Sequence, residues 1–284
     1  MHAVAGVSVT VQPGEVVAIL GPNGAGKTTA LDMILGLQQP TSGAVQVYGL
    51  PPREAVDAGR VAAVTQVGGL LGDISVGDHV RLFASLFGRG RSEADAMLDR
   101  VGLQSLAKRP VRACSGGEKQ LLKFAMALVS DPDIIILDEP TTGMDVMARK
   151  AFWQRIHADT LTGRTVLFAT HYLEEADEYA DRVVVIVHGR VVADGTTAEV
   201  RGLAVGRTVQ ADLDTAEQAG AAAGRLRSQG LAASAEAQGK RLTAQTRDSD
   251  ALVQALFALS PPAHDILVVS QGLEEAFVHL AEGE

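Results

Sequence analysis

A glycine-rich loop near the start of the 284-residue chain constrains its fold more than any other stretch. The apolar residues 16–20 come directly before this loop, and the helix-like residues 30–35 follow it. Strand, glycine loop and helix in this order form a P-loop, because glycines let successive backbone N–H groups point into one concavity. The start of the helix adds the positive end of its dipole. The residues predicted to bind a triphosphate are Gly21, Pro22, Asn23, Gly24, Ala25, Gly26, Lys27, Thr28 and Thr29.

Two side chains of this loop have specific roles in the prediction. Lys27 would reach the β- and γ-phosphates, and the Thr28 hydroxyl would bind Mg²⁺. A glycine-rich turn before an ordinary helix is the alternative. All four fixed positions of the motif are present between a strand and a helix, which favours the phosphate site.

The composition indicates a globular chain with a sizeable hydrophobic core. Hydrophobic residues make up 46% of the sequence, and Cys114 is its only cysteine, so no intrachain disulfide can form. The net charge of −9 argues against broad nucleic-acid binding. No apolar run approaches the roughly 18 residues of a membrane helix, and no signal peptide is visible. Any role at a membrane is therefore expected to depend on a partner subunit.

Strand-like and helix-like stretches alternate along the first 200 residues and predict an α/β fold. Continuously apolar strands with helices between them indicate a largely parallel sheet, with its phosphate site at the carboxyl ends of the strands. A helical pattern over residues 76–106 predicts an inserted helical subdomain at about residues 73–130. The predicted strands are residues 7–11, 16–20, 44–48, 61–65, 134–137, 165–170 and 182–187.

A small α+β domain is predicted for residues 201–284, after a cassette of residues 1–200. No cluster typical of a ligand site occurs in this tail, so an appendage that supports a dimer is favoured over a regulatory domain. The tail is predicted to contain strands at residues 208–213, 231–235, 241–245 and 266–269 and helices at residues 215–228, 249–259 and 273–280.

Polar side chains follow two of the buried strands in the first 200 residues. Asp138 and Glu139 end the strand at residues 134–137, where one carboxylate could face Mg²⁺ and the next the attacking water. We assign Asp138 to the metal and Glu139 to general base catalysis or water orientation. His171 follows the strand at residues 165–170 and could contact the γ-phosphate. A solvated acidic turn and a structural histidine are the alternatives, which the neighbouring P-loop disfavours.

Residues 114–118 predict a second anion site. Ser115 is a good helix N-cap, Gly116 and Gly117 expose backbone N–H groups, and an apolar helix follows. A simple helix cap is the alternative for this stretch considered alone.

With these motifs in this order, residues 3 to about 200 resemble the ATP-binding-cassette (ABC) ATPases. In that family, the P-loop of one subunit and the Ser-Gly-Gly signature of another enclose each ATP. The resemblance rests on the P-loop, Gln66, the signature at residues 115–118, the acidic pair at residues 138–139, the loop at residues 141–145 and His171.

The resemblance implies a P-loop NTPase cassette that binds ATP and Mg²⁺ and pairs head to tail with a second ATPase subunit. Glu139, His171 and Gln66 would be the catalytic residues, and Gln66 would join Thr28 and Asp138 at the metal. Ser115, Gly116, Gly117 and Glu118 would bind the nucleotide of the other subunit, and Asp145 would hold the dimer interface. The helical subdomain, with the surface at residues 66–71, would dock a membrane subunit.

Residues 170–177 and 265–277 resemble a narrower group, the ATPase subunits of bacterial ABC-2 type exporters similar to daunorubicin-resistance proteins. This implies an ATP-hydrolysing subunit at the cytoplasmic face of the membrane, bound to a separate permease, with no nucleic acid as partner. Two alternatives stay open. One is a soluble cassette protein that acts on ribosomes or nucleic acid, and the other is a non-hydrolysing, nucleotide-sensing subunit.

The sequence departs from the family pattern in two places. The usual Leu-Ser-Gly-Gly-Gln signature has Cys114 at its first position and Glu118 at its last. A carboxylate at Glu118 suits the helix dipole but adds negative charge near the other subunit's nucleotide. Family members also carry a longer segment before the P-loop with an aromatic residue that stacks on adenine, whereas residues 1–7 offer only His2. We therefore expect adenine recognition to be weaker or satisfied elsewhere.

Overall fold

The computed structural model describes residues 3–65, 68–160, 163–203, 207–270, 273–274 and 277. The chain divides into two compact units, Met1–Thr197 and Ala198–Glu284. The fold of each unit follows from its own pattern of buried apolar residues.

A six-stranded sheet with the strand order β2-β3-β4-β1-β5-β6 forms the centre of the first unit. Neighbouring strands among the first five pair in parallel, and β6 pairs antiparallel with β5 at the edge. The predicted α/β fold with a largely parallel sheet is thereby confirmed. The strands are β1 (Val16–Leu20), β2 (Val61–Val64), β3 (Ile134–Asp138), β4 (Thr165–Thr170), β5 (Arg182–Val187) and β6 (Arg190–Thr196).

Continuous burial explains why these strands lack an alternating pattern. Every residue of β1 and of β4 is buried, and Ile135, Ile136 and Leu137 of β3 are each at most 1% exposed. Helices cover both faces of a parallel sheet, so neither face of a strand meets water. The polar residues of the site follow where these strands end.

Seven described helices of the first unit, α1 to α7, cover the sheet or belong to an insertion between β2 and β3, and an eighth helix, α8, begins at the boundary with the second unit. The insertion contains α3, α4 and two short 3₁₀ turns, and α5 leads from it back to the sheet. Ser75 caps α3 by accepting a hydrogen bond from the backbone N–H of Asp78 at 3.1 Å. The helices are α1 (Lys27–Ile34), α2 (Pro52–Asp57), α3 (Val76–Leu86), α4 (Arg91–Arg100), α5 (Gly116–Leu128), α6 (Val146–Thr160), α7 (Leu173–Tyr179) and α8 (Thr197–Leu203).

The second unit is a four-stranded antiparallel sheet, in the order β10-β7-β9-β8, covered by two helices. Val209, Ala211, Leu242 and Ala244 form its core with alanines and leucines of the helices, among them Leu252. The elements are β7 (Arg207–Asp212), α9 (Ala216–Ser228), β8 (Ser234–Gln238), β9 (Arg241–Thr246), α10 (Ser249–Phe257) and β10 (His264–Ser270).

Several sequence predictions of local structure were wrong. Residues 7–11 and 44–48 form no strand with any described residue, apart from an isolated bridge between Val47 and Leu50. Alternation alone is insufficient, because a strand also needs a neighbour for its backbone hydrogen bonds. The strand predicted at residues 231–235 begins at Ser234, and β6 and α2 were not predicted. Gln66 lies outside the described residues, as does most of the helix predicted at 273–280.

Candidate nucleotide-binding site

The P-loop connects the end of β1 to the start of α1. Gly24 and Gly26 have backbone φ angles of 81° and 101°, a left-handed conformation that glycine adopts without strain. A Cβ atom on Gly21 would lie 2.3 Å from the carbonyl oxygen of Ile186, so no larger residue fits. Pro22, Asn23 and Gly24 are exposed, and the loop is therefore open to solvent.

Lys27 is the first residue of α1, and its ammonium group turns back into the loop. Its Nζ donates hydrogen bonds to the carbonyl oxygens of Gly21 at 2.7 Å and Pro22 at 3.2 Å. Burial lowers the pKa of Lys27, and the nearby carboxylates of Glu139 and Asp138 oppose this shift. The cation is thus held by neutral carbonyls, which phosphate oxygens could replace.

Thr28 and Asp138 meet beside Lys27, at the carboxyl end of β3. The Thr28 hydroxyl donates to Asp138 Oδ2 at 3.1 Å. Asp138 is 8% exposed, and burial raises the pKa of its carboxyl group, against the effect of the Thr28 hydrogen bond. Hydroxyl and carboxylate oxygens are suitable ligands for Mg²⁺, which usually takes one or two protein groups together with phosphates and waters. The donor set of the described residues therefore fits a magnesium ion.

Glu139 and His171 form a contact at the ends of the neighbouring strands β3 and β4. Asp138 is paired with Ala169 in the sheet, so Glu139 comes one residue after this pair and His171 comes two residues after it. Glu139 Oε2 contacts His171 Nδ1 and also accepts a hydrogen bond from the Thr142 hydroxyl at 3.2 Å. Glu139 has a φ of 50°, an uncommon conformation for a residue with a side chain. Its backbone N–H donates to Ala169 at 2.9 Å and holds this turn.

The signature residues form a capped helix start. Ser115 Oγ accepts from the Glu118 N–H at 3.2 Å, and Glu118 Oε2 accepts from the Ser115 N–H at 2.7 Å, which is a capping box. The other carboxylate oxygen of Glu118 lies 3.0 Å from Arg109 Nη1. The expectation that Glu118 adds negative charge near the other subunit's nucleotide did not take this arginine into account. Arg109 lies nine residues earlier, outside the signature.

The start of α5 lies against the loop that follows Glu139. A Cβ atom built on Gly116 would lie 3.6 Å from the Gly143 carbonyl oxygen, and one on Gly117 would lie 3.2 Å from the Ala148 side chain. The two glycines thus allow close packing of α5 on residues 143–148. The structure brings the P-loop together with Asp138, and it brings Glu139 together with His171.

Sequence reasoning missed Arg109 and also Glu175, whose buried carboxylate binds residues next to both strand ends. Arg109 lies outside every motif quoted from the sequence, and Glu175 lies within residues 170–177 but received no role at the site in the sequence prediction. No helix in the described part of the chain is long and apolar enough to cross a membrane.

Comparison with known sequences identifies the family. Residues 4–142 match the ABC transporter family. The Nod factor export ATP-binding protein I of Burkholderia thailandensis is 42% identical over 196 residues, a match that spans 67% of this chain and 64% of that protein. The protein of the same name from Ralstonia nicotianae is 35% identical over 98% of this chain and 89% of its own length.

Solved structures agree with this result. The ATP-binding subunit of an ABC transporter is 30% identical, with a TM-score of 0.63 over 70% of this chain and 86% of its own. A dimeric ATP-binding cassette in a post-hydrolysis state, bound to ADP and Pi, is 26% identical, with a TM-score of 0.62 over 68% of this chain and 90% of its own. The chain therefore belongs to the ABC transporter family, as an ATP-binding cassette protein.

Proposed function

We propose that this chain is the ATP-hydrolysing subunit of a bacterial ABC-2 type exporter and drives transport by ATP-dependent dimerisation. The observation that carries the proposal is the joint position of Lys27, the Thr28–Asp138 pair and the Glu139–His171 pair at the ends of neighbouring strands. A phosphate-binding loop, a metal-binding pair and a base are the parts that ATP hydrolysis requires.

Each of these residues has a defined task in the proposed reaction. Lys27 exchanges its two carbonyl partners for oxygens of the β- and γ-phosphates. Glu139 accepts the proton of the attacking water or orients that water, and His171 contacts the γ-phosphate. Thr28 and Asp138 would hold Mg²⁺, which neutralises phosphate charge when bound.

In the proposed dimer, two copies pair head to tail. The N–H groups at the Ser115 helix start of one copy then face the nucleotide on the P-loop of the other. The similar cassette described as dimeric supports the pairing of two copies, and the head-to-tail arrangement is part of the proposal. Loss of the γ-phosphate on hydrolysis removes the bridge between the copies, so the dimer opens.

The helical insertion offers a place for the permease. A cavity of about 250 Å³ lies between β2 and the insertion, lined by apolar side chains such as Phe83, Phe87 and Met126. Leu71 nearby is 60% exposed. An apolar groove of this kind fits the apolar face of an amphipathic helix from the cytoplasmic side of a membrane subunit. The word export in the names of the relatives supports transport out of the cell.

ATP turnover by the purified full-length chain tests the proposal, with Glu139→Gln as the diagnostic variant. General base catalysis contributes about 10²- to 10⁴-fold, so turnover should fall by that factor. The variant should also form a dimer in Mg²⁺-ATP on size-exclusion chromatography. Glu174→Gln makes the same chemical change at an exposed position and should behave like the parent. Parental turnover by Glu139→Gln would contradict the assigned role, and a parent that hydrolyses no ATP even with its permease would favour the nucleotide-sensing alternative.

A further inference from the structure

Glu175 is a buried carboxylate that no step of the proposed reaction uses. It lies in the first turn of α7 and is 2% exposed. One carboxylate oxygen accepts the hydroxyl of Thr141, and the other accepts the hydroxyl of Thr170 at 2.8 Å. Arg149 Nε on α6 lies 3.5 Å from the first oxygen. A charged group buried this deeply is stable only when it is paired and hydrogen-bonded in this manner.

The two hydroxyls belong to the segments that carry the reacting groups. Thr141 lies two residues after Glu139, in the loop that packs against the start of α5. Thr170 is the last residue of β4 and directly precedes His171. One carboxylate therefore ties the loop after the base to the strand end before the histidine.

A second path leads from Glu175 to the histidine ring. The guanidinium of Arg149 lies 3.9 Å above the ring centre of Tyr172, and that ring lies 4.1 Å from the ring of His171. The Tyr172 N–H donates to the Thr170 hydroxyl at 3.0 Å, so the same hydroxyl serves both the carboxylate and the backbone beside His171. A displacement of the Glu175 carboxylate would move His171 through both paths.

We propose that Glu175 is a positioning residue for ATP hydrolysis, a role that rests on the proposed function. Its carboxylate holds the Thr141 loop and the end of β4 as one unit, so that Glu139 and His171 face the same phosphate. Glu175 itself touches neither the P-loop residues nor the Thr28–Asp138 pair in the described contacts. Its loss should therefore affect the chemical step more than nucleotide binding.

The variant Glu175→Gln tests this role. Its amide oxygen accepts one hydroxyl, but its NH₂ group cannot accept the other, and Arg149 loses its counter-charge. We expect kcat to fall about 10-fold or more, with KM and the affinity for a fluorescent ATP analogue changed less than about twofold. Glu174→Gln, one residue earlier and exposed, is the matched control. An equal loss of nucleotide affinity and thermal stability, with kcat of the folded fraction unchanged, would show a purely structural role and overturn the proposal.

A second variant and an NMR measurement separate the positioning role of Glu175 from a purely structural one. If Glu175→Gln does not fold, Thr141→Val removes one hydroxyl and leaves the Thr170 and Arg149 contacts, and it should lower kcat with KM retained. The NMR signals of labelled histidines provide a readout without turnover, with His171 assigned from a His171→Gln variant. The His171 signal should shift in Glu175→Gln and stay in place in Glu174→Gln, and an unmoved signal overturns the proposal. If the parent hydrolyses ATP and Glu139→Gln does not, unchanged kcat in Glu175→Gln refutes only the positioning role.

Discussion

Replacing Arg109 by alanine should weaken the ATP-driven association of two copies while leaving the fold almost unchanged. Arg109 lies 3.0 Å from Glu118, and the two side chains are 43% and 27% exposed. An ion pair this exposed contributes at most about 1 kcal/mol to folding. The capping hydrogen bond from the Ser115 N–H would keep the Glu118 carboxylate in place, now without a counter-charge.

The magnitude follows from the charge that this carboxylate would present to the second copy. At about 8 Å in water, two unit charges repel by about 0.5 kcal/mol, and Mg²⁺-ATP carries roughly two net negative charges, which gives about 1 kcal/mol for each site. Two such sites in the dimer give about 2 kcal/mol, or about 30-fold in the association constant. The loss should be smaller at high ionic strength, because salt screens exposed charges.

Analytical ultracentrifugation in Mg²⁺-ATP measures this association, with every variant made in the Glu139→Gln background so that hydrolysis does not reopen the dimer. Glu118→Gln removes the charge and keeps a hydrogen-bond acceptor, so Arg109→Ala should have little effect when added to it. Arg112→Ala makes the same change in net charge at an arginine paired with Asp73, and it serves as the control. One contradicting result is that Arg109→Ala lowers the association constant equally with and without Glu118→Gln, and another is that it leaves the constant unchanged at low salt. Either result would show that Arg109 does not act by compensating the charge of Glu118.

Two remaining predictions concern stability. Gly21→Ala would place its Cβ 2.3 Å from the Ile186 carbonyl oxygen and should lower the free energy of unfolding by about 1–3 kcal/mol in thermal melts. In Gly72→Ala the new Cβ would lie 3.5 Å from the Arg112 Cβ, an ordinary contact, so this variant should have the melting temperature of the parent. Equal melting temperatures for the two variants would contradict the predicted clash at Gly21. Burial, beside the stacked ring of Trp153, raises the pKa of Tyr179 to about 12. An unfolded tyrosine ionises near pH 10, so stability should fall as the pH rises from about 10 to about 12. The stability of Tyr179→Phe should not show this fall between about pH 10 and about pH 12. An identical pH dependence of stability in both proteins would contradict the raised pKa of Tyr179.

The local motifs of the site were predictable because each depends on neighbours in the chain. An apolar strand followed by glycines and Lys27 predicts the phosphate loop, and an apolar strand followed by Asp138 and Glu139 predicts the acidic pair. The phosphate loop and the acidic pair come together because the carboxyl ends of parallel strands lie at the same edge of a sheet. These parts needed no knowledge of distant contacts.

The features that the sequence did not reveal depend on partners far along the chain. The alternation at residues 7–11 suggested a strand, but strand formation depends on a neighbouring backbone that the residues themselves do not specify. Glu175 looks like an ordinary acidic residue in a helical first turn, and its contact with Thr141 spans 34 positions. Arg109 lies outside the signature, and its positive charge compensates the carboxylate of Glu118. In each case the sequence does not show which distant residues come into contact in the folded chain.

The polar groups of the site form hydrogen bonds with one another in this structure, and a bound nucleotide would compete with these hydrogen bonds. Lys27 is bound to its own loop, Thr28 to Asp138, and Glu139 to His171. In the proposed site, phosphates would therefore replace existing hydrogen bonds, and each replacement would free a carbonyl or a carboxylate at a strand end. Burial lowers the pKa of Lys27, and the negative charge of a triphosphate bound in the proposed manner would oppose this shift by favouring the charged lysine. In the proposed reaction, the free energy of nucleotide binding is thus coupled to rearrangement at the ends of β3 and β4, where Glu175 accepts the hydroxyls of Thr141 and Thr170.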